Sequence, residues 1–233
     1  MTITTSPAAV DGARRTVATT WPFVGAGALL LLYPALRPWS DATPEGAPAA
    51  FTSPAWIPAH LAAVAGFVLV ALALVRLHTV LADGAGARPA RIATGLWAVG
   101  TALVLPYYGA EAFAPPAIGE RIVRTGDTGL LEVVEAFRMG LWPATTFAAG
   151  LLLLAVAGVL VATAVARSGA LPRWAGLPFA AAFALYLPQF FGPPVLRIAH
   201  GVLVAAGCLV LAVAVHRSGA LRVLHQRDAG DPV

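Results

Sequence analysis

The chain has 233 residues, 59% of them hydrophobic and only 11% charged, with a mean hydropathy of +0.80; soluble domains run nearer about 45–50% apolar and about 25% charged. That excess excludes a water-soluble fold and predicts an all-α integral membrane protein. The net charge of +4 and pI of 10.0 do not argue for nucleic acid, because every basic residue is an arginine at or near the end of an apolar run, where it sets orientation.

Residues 1–20 are small and polar around Arg14 and Arg15 and read as a disordered tail. The apolar run from Phe23 to Leu36, followed by Ala47-Pro48-Ala49, loosely imitates a signal peptide. The stretch before the would-be cleavage point is too long, so an uncleaved first span is expected. Six apolar segments, at 21–38, 56–77, 92–112, 143–166, 174–191 and 195–216, each come near the roughly 17–25 residues that cross a bilayer. Lipid offers no hydrogen bonds to a backbone, and no ten-residue alternating strands of a barrel occur, so helices are expected throughout. The membrane domain then covers 21–217, and 218–233 form a second tail.

Arginines order the loops. Arg14, Arg15, Arg76, Arg88, Arg91, Arg167, Arg173, Arg217, Arg222 and Arg227 fall on one side, against Arg37, Arg121, Arg124, Arg138 and Arg197 on the other. Both termini are therefore expected in the cytoplasm. Trp21 and Trp174 would mark inner edges, Trp39, Trp56 and Trp142 outer ones, and Trp97 lies deeper. The absence of lysine and the abundance of alanine, glycine and proline suit a GC-rich bacterial genome, and hence a bacterial plasma membrane.

An internal repeat underlies the spans. Arg91 to Pro106 aligns with Arg173 to Pro188, so that Leu-Pro-Tyr-Tyr-Gly faces Leu-Pro-Gln-Phe-Phe-Gly; spans four and six end alike in Arg-Ser-Gly-Ala-Leu, and Tyr33-Pro34 makes a weaker third copy. Three helical hairpins in one bundle are expected, with a proline near the outer end of each odd helix freeing carbonyls for a neighbour or a wet pocket. Between spans three and four, 113–130 reads as the longest external loop. The following segment, about 130–142, reads as an amphipathic helix at the outer surface, with Glu132, Glu135 and Arg138 on a solvated face opposite Leu131, Val134, Phe137 and Leu141.

Polar residues within the spans share one level: His60, Glu111, Gln189, Arg197 and His200, with Tyr33, Tyr107, Tyr108 and Tyr186. A carboxylate in a span costs about 2.5–3.5 kcal/mol at mid-membrane, so Glu111 is the leading functional candidate. The expected site is an outward-facing pocket that binds a small or lipid-like molecule. Glu111 would act as acid or base with His60 or His200, Arg197 and Arg138 as polar contacts, and Tyr107, Tyr108, Tyr186 and Gln189 as lining. The plainer readings are an aromatic belt for the tyrosines, packing for the histidines and an interfacial ion pair for Glu111.

No cofactor is expected. A haem pair on His60/His78 and His200/His216 fails on geometry, since 18 residues return to the same helix face while 16 end about 160° away; a single haem or metal on His60 and His200 is the lesser alternative. The single Cys208 excludes an intrachain disulfide and Cys-x-x-Cys motifs. A non-enzymatic role, as a subunit of a membrane complex or a small homo-oligomeric transporter, is the rival function. Against a transporter, no polar residue sits at mid-bilayer and the repeats are not inverted.

Overall fold

A computed structural model describes residues 7–230, with side chains over 20–219. It is 84% helical and holds no strand among the described residues, which is how long apolar runs satisfy their own backbone. The helices are α1 (Pro7–Leu36), α2 (Ala47–Phe51), α3 (Trp56–Val80), α4 (Ala87–Thr125), α5 (Leu131–Met139), α6 (Leu141–Ser168), α7 (Leu177–Ala184) and α8 (Pro194–Gly230). Four are long and apolar enough to cross a membrane: α3, α4, α6 and, over Pro194–Gly219, α8; Thr20–Leu36 of α1 is a shorter apolar stretch.

Each long element packs on its neighbours in the chain, in the order α1, α3, α4, α6, α7, α8, and α8 closes the ring on α1. Lipid is as apolar as leucine, so helix association here depends on close packing rather than on a hydrophobic drive. Where α4 crosses α6, a Cβ at Gly100 would lie 2.9 Å from the Gly150 carbonyl oxygen, and one at Gly150 2.8 Å from that of Gly100. Aromatic rings fill the centre: Trp97, 0% exposed, meets Phe183 edge-on at 4.6 Å and donates its indole N–H to the Phe67 carbonyl at 3.2 Å.

Several expectations change. The segment 113–130 is not a loop, because α4 continues through Pro115 and Pro116 to Thr125 and ends at Gly126, whose φ of 73° supplies the left-handed residue that closes a helix. At about 1.5 Å per residue its 39 residues measure nearly 60 Å, about twice the hydrocarbon thickness. Its last turns stand clear of the bundle at the end called here the cap. There α2 lies so close that a Cβ at Gly119 would come within 2.7 Å of Phe51. The α5 helix is not a free surface helix: Val134 is buried, and Leu131 and Phe137 pack against Ala47, Ala50, Phe51 and Trp56. Leu141, expected on that face, is 71% exposed, since Gly140 breaks the helix before it with ψ 146°.

The fifth segment, 174–191, is not one helix. α7 has only 8 residues, about 12 Å; a turn over 185–187 follows, then a 3-10 segment at Pro188–Phe191. Pro188 lacks the N–H that the Ala184 carbonyl would accept, and Gly192 precedes Pro193, which holds it extended at φ −96°, ψ 163°. At the ends, α1 is helical from Pro7 and α8 to Gly230, where disordered tails are expected. Both stretches are rich in alanine and arginine, good helix formers. The remainder of those tails, 1–6 and 231–233, lies outside the described residues.

Candidate functional site

The prolines at the cap end create the site's framework by what they omit. In a helix the carbonyl of residue i accepts from the N–H of residue i+4. Pro38 stands four after Pro34 and Pro115 four after Glu111, so both carbonyls lose their partner. Indoles replace it: Trp39 Nε1 donates to Pro34 O at 3.1 Å, and Trp56 Nε1 to Glu111 O at 2.7 Å. Trp56, expected at a membrane edge, is fully buried. The Glu111 backbone is thereby tied to α3 and its side chain directed at the next turn of that helix, which carries His60.

Three charged side chains, Arg37, Asp41 and Arg138, gather around that carboxylate. Arg138 of α5 donates Nε to Glu111 Oε1 at 2.6 Å and Nη2 to Oε2 at 2.9 Å, and Nη2 also reaches Asp41 Oδ2 at 3.2 Å. Arg37 grips Asp41 from the other side at 2.9 and 2.7 Å and stacks over Trp39 and Trp56, at 4.4 and 4.8 Å from the ring centroids. Burial disfavours the Arg138 cation, but its hydrogen bonds and attraction to Glu111, with a further attraction to Asp41, outweigh that and hold its pKa above the ordinary arginine value. Arg138 is thus turned inward and does not share the exposed face of Glu132 and Glu135.

His60 completes the cluster. Its Nδ1 lies 2.8 Å from Trp56 O. A carbonyl only accepts, so Nδ1 carries a proton, and in the neutral ring Nε2 presents a lone pair. That lone pair faces Glu111 Oε2 at 4.0 Å, and the two residues are 1% and 6% exposed. Two acceptors face each other across a gap that a proton-bearing group would bridge.

This pair opens on a cavity of about 410 Å³, walled by Tyr33, Trp39, Tyr107, Tyr108, Phe147 and Phe190 and reaching the loops at Ala42 and Gly192–Pro194. Its size falls within the roughly 300–1,000 Å³ of small-molecule sites. Arg197 also lines it, yet bonds only to backbone, Nε to Gly192 O at 3.1 Å and Nη2 to Phe190 O at 2.5 Å. Three guanidinium groups against two carboxylates leave the cavity net positive, with the excess on Arg197.

Of the residues expected to form the site, Glu111, His60, Tyr107, Tyr108, Arg138 and Arg197 meet in this cavity. His200, Tyr186 and Gln189 do not. His200 Nε2 donates to Ala182 O at 2.7 Å, the carbonyl left over when Tyr186 N turns to Phe183 O instead; it caps the broken end of α7. Three tyrosines separate the histidines: Tyr33 packs edge-on against His60 at 5.3 Å and against Tyr108 at 5.3 Å, the Tyr108 and Tyr186 hydroxyls lie 3.4 Å apart, and Tyr186 meets His200 at 5.0 Å. Tyr33 and Tyr186 are therefore interior residues and not a belt. Among the described residues no three His, Cys, Asp or Glu side chains cluster as metal ligands.

Arg37, Trp39, Asp41 and Trp56 were not identified from the sequence as site residues. The available signals were the Arg37/Asp41 spacing of four directly after a span, and prolines four residues beyond Pro34 and Glu111. Comparison with known proteins finds no matching family model, curated sequence or solved structure.

Proposed function

We propose that this protein is a multi-pass protein of the bacterial plasma membrane, with the cap end outward and both termini cytoplasmic. Its cavity binds a small or lipid-like molecule and performs acid–base chemistry on it. The observation that carries this reading is the approach of His60 Nε2 to Glu111 Oε2 at 4.0 Å at the edge of an aromatic cavity with a net positive charge. A ligand O–H or N–H placed between them would give its proton to Nε2, and Glu111 would stabilise the imidazolium that forms. Arg138 and Trp56 orient the carboxylate, and Arg197 holds an anionic or strongly accepting group. Glu111 to Arg197 is then the polar axis of the site, and the tyrosines and Phe147 wall the space between them.

Native mass spectrometry of the purified protein after incubation with a membrane lipid extract tests this. The wild type is expected to retain a bound species and change its mass with time, and Glu111→Gln to bind without changing it. An unchanged bound species in both proteins would return Glu111 to a structural ion pair. That outcome supports the rival reading, a non-catalytic membrane component, which draws on the mutual closure of Arg37, Asp41, Arg138 and Glu111.

Six membrane-crossing segments are part of the proposal, the fifth crossing as α7 plus its unwound continuation to Phe191. The arginine bias supports the orientation. An impermeant maleimide should label Glu45→Cys and Glu120→Cys in intact cells, and Asp83→Cys and Arg173→Cys only after lysis; buried Cys208 is silent. The opposite pattern would move the cavity to the cytoplasmic side.

A further inference from the structure

On the far side of the Pro188–Phe191 segment from the main cavity lies a second hollow that the proposed chemistry does not use. It is a crevice of about 290 Å³ between the unwound end of α7 and the first turns of α8, with Leu185, Leu196, Ala199 and Leu203 as walls and Gln189 and His200 at its inner edge. Leu185 is 48% and Leu196 51% exposed, which in a membrane-spanning chain means exposure to hydrocarbon. The crevice exists because α7 stops at Ala184, where a full helix would have covered α8.

Gln189 is the polar group set into this apolar wall. It is 8% exposed, and among the described residues its side-chain amide makes no hydrogen bond, which leaves its donors and acceptor to face the hollow that it lines. It lines the crevice and also a narrow neck of about 10 Å³, bounded further by Tyr33, Trp39, Phe190, Arg197 and His200, about the space of one water. The neck shares Gln189 and His200 with the crevice and Tyr33, Trp39, Phe190 and Arg197 with the main cavity. The neck thus borders the crevice at Gln189 and His200 and reaches the Arg197 guanidinium on the side of the main cavity.

We propose that the crevice is the tail-binding site and lateral portal for a single-chain amphiphile with an anionic head, drawn from the bilayer. The head meets Arg197 and the Gln189 amide, and the hydrocarbon runs along α8. This rests on the cavity reading above and narrows its ligand class. The uncompensated charge on Arg197 selects an anion. From Leu196 to Leu203 the groove follows α8 for about 10 Å, away from the cap, so a tail lying there keeps the orientation of a bilayer lipid with its head at the interface. Gln189 gives up no hydrogen bond in swinging aside.

The test uses the full-length protein in phosphatidylcholine nanodiscs and a hexadecanoic acid probe with a mid-chain diazirine, alongside the same chain as its neutral alcohol. Photolysis and peptide mapping should place adducts on residues 185–203, with about tenfold more from the acid than from the alcohol. Ala199→Trp, a lipid-facing change that fills the groove, should cut labelling about tenfold. Arg197→Gln should bring acid and alcohol to equal labelling without moving the adducts, which a merely misfolded variant would not do. Adducts spread over all lipid-facing helices, or labelling indifferent to Ala199→Trp, would overturn the portal. If hexanoate still raises the melting temperature in an Arg197-dependent way while the long probe labels elsewhere, the portal fails and the cavity reading stands. Labelling of 185–203 with a bound species that stays unchanged in the wild type as well as in Glu111→Gln supports the portal and removes only the chemistry.

Discussion

Leu105-Pro106-Tyr107-Tyr108-Gly109 and Leu187-Pro188-Gln189-Phe190-Phe191-Gly192 begin with the same dipeptide at the same end of the bundle, yet the first remains inside α4 and the second leaves α7. Both prolines remove one N–H and free the carbonyl four residues back. After Pro106 the chain runs nine residues to its next proline, long enough for two uninterrupted turns; after Pro188 it meets Pro193 and Pro194 within six, and Gly192 must be extended. Neighbours then stabilise each outcome. On the α4 side Trp56 takes up the Glu111 carbonyl and Arg138 its carboxylate. On the α7 side His200 and Arg197 take up the carbonyls of Ala182, Phe190 and Gly192. One proline in a helix is a local perturbation; whether it becomes a kink or a break depends on the next proline and on donors from elsewhere. The intact helix presents the acid, and the broken one leaves the crevice.

Removing the charge that holds the α4 side should have the largest effect. Arg138→Ala leaves Glu111 and Asp41 short of a cation and should cost about 3–5 kcal/mol, read as thermal unfolding in detergent. A cost under about 1 kcal/mol would mean the acids are solvated, and the contrast between an ion-paired anchor and one made to backbone carbonyls would fall. On the α7 side, Arg197→Ala removes two bonds from a charged donor to carbonyls and should cost about 2–3 kcal/mol. Hydrogen exchange should quicken over 188–197 and leave α3 and α4 protected; uniform acceleration would show that the segment is not held locally.

A double-mutant cycle isolates the part the indole plays in place of the missing N–H. Trp56→Phe should cost about 1–2 kcal/mol by stranding the Glu111 carbonyl. In a Pro115→Ala background the restored N–H can serve that carbonyl, and the same change should cost about 1 kcal/mol less. Strict additivity would show that the indole does not substitute for the missing N–H. The smallest effect should come from Gln189→Leu, within about 0.5 kcal/mol, because its amide has no bond to lose; a large loss would reveal a partner for it and close the crevice's claim to a ligand.

Helical membrane character, the common level of the polar side chains and the singular status of Glu111 follow from the sequence by itself, because hydropathy and the cost of a buried acid are properties of residue type and depth. The rule that a proline frees a carbonyl is equally local. Which donor answers it is not: Trp56 and Glu111 are 55 residues apart, Arg138 and Asp41 97, and His200 and Ala182 18. Spacing along the chain carries no information about such pairs. Depth alone placed His60 and His200 together, but depth fixes one coordinate of three, and the ring order of the helices set them on opposite sides of three tyrosines. The persistence of α4 past Pro115, the break after Ala184 and the inward turn of Arg138 were likewise decided only in the tertiary structure, where each unpaired carbonyl and each buried charge had to find its partner on another helix.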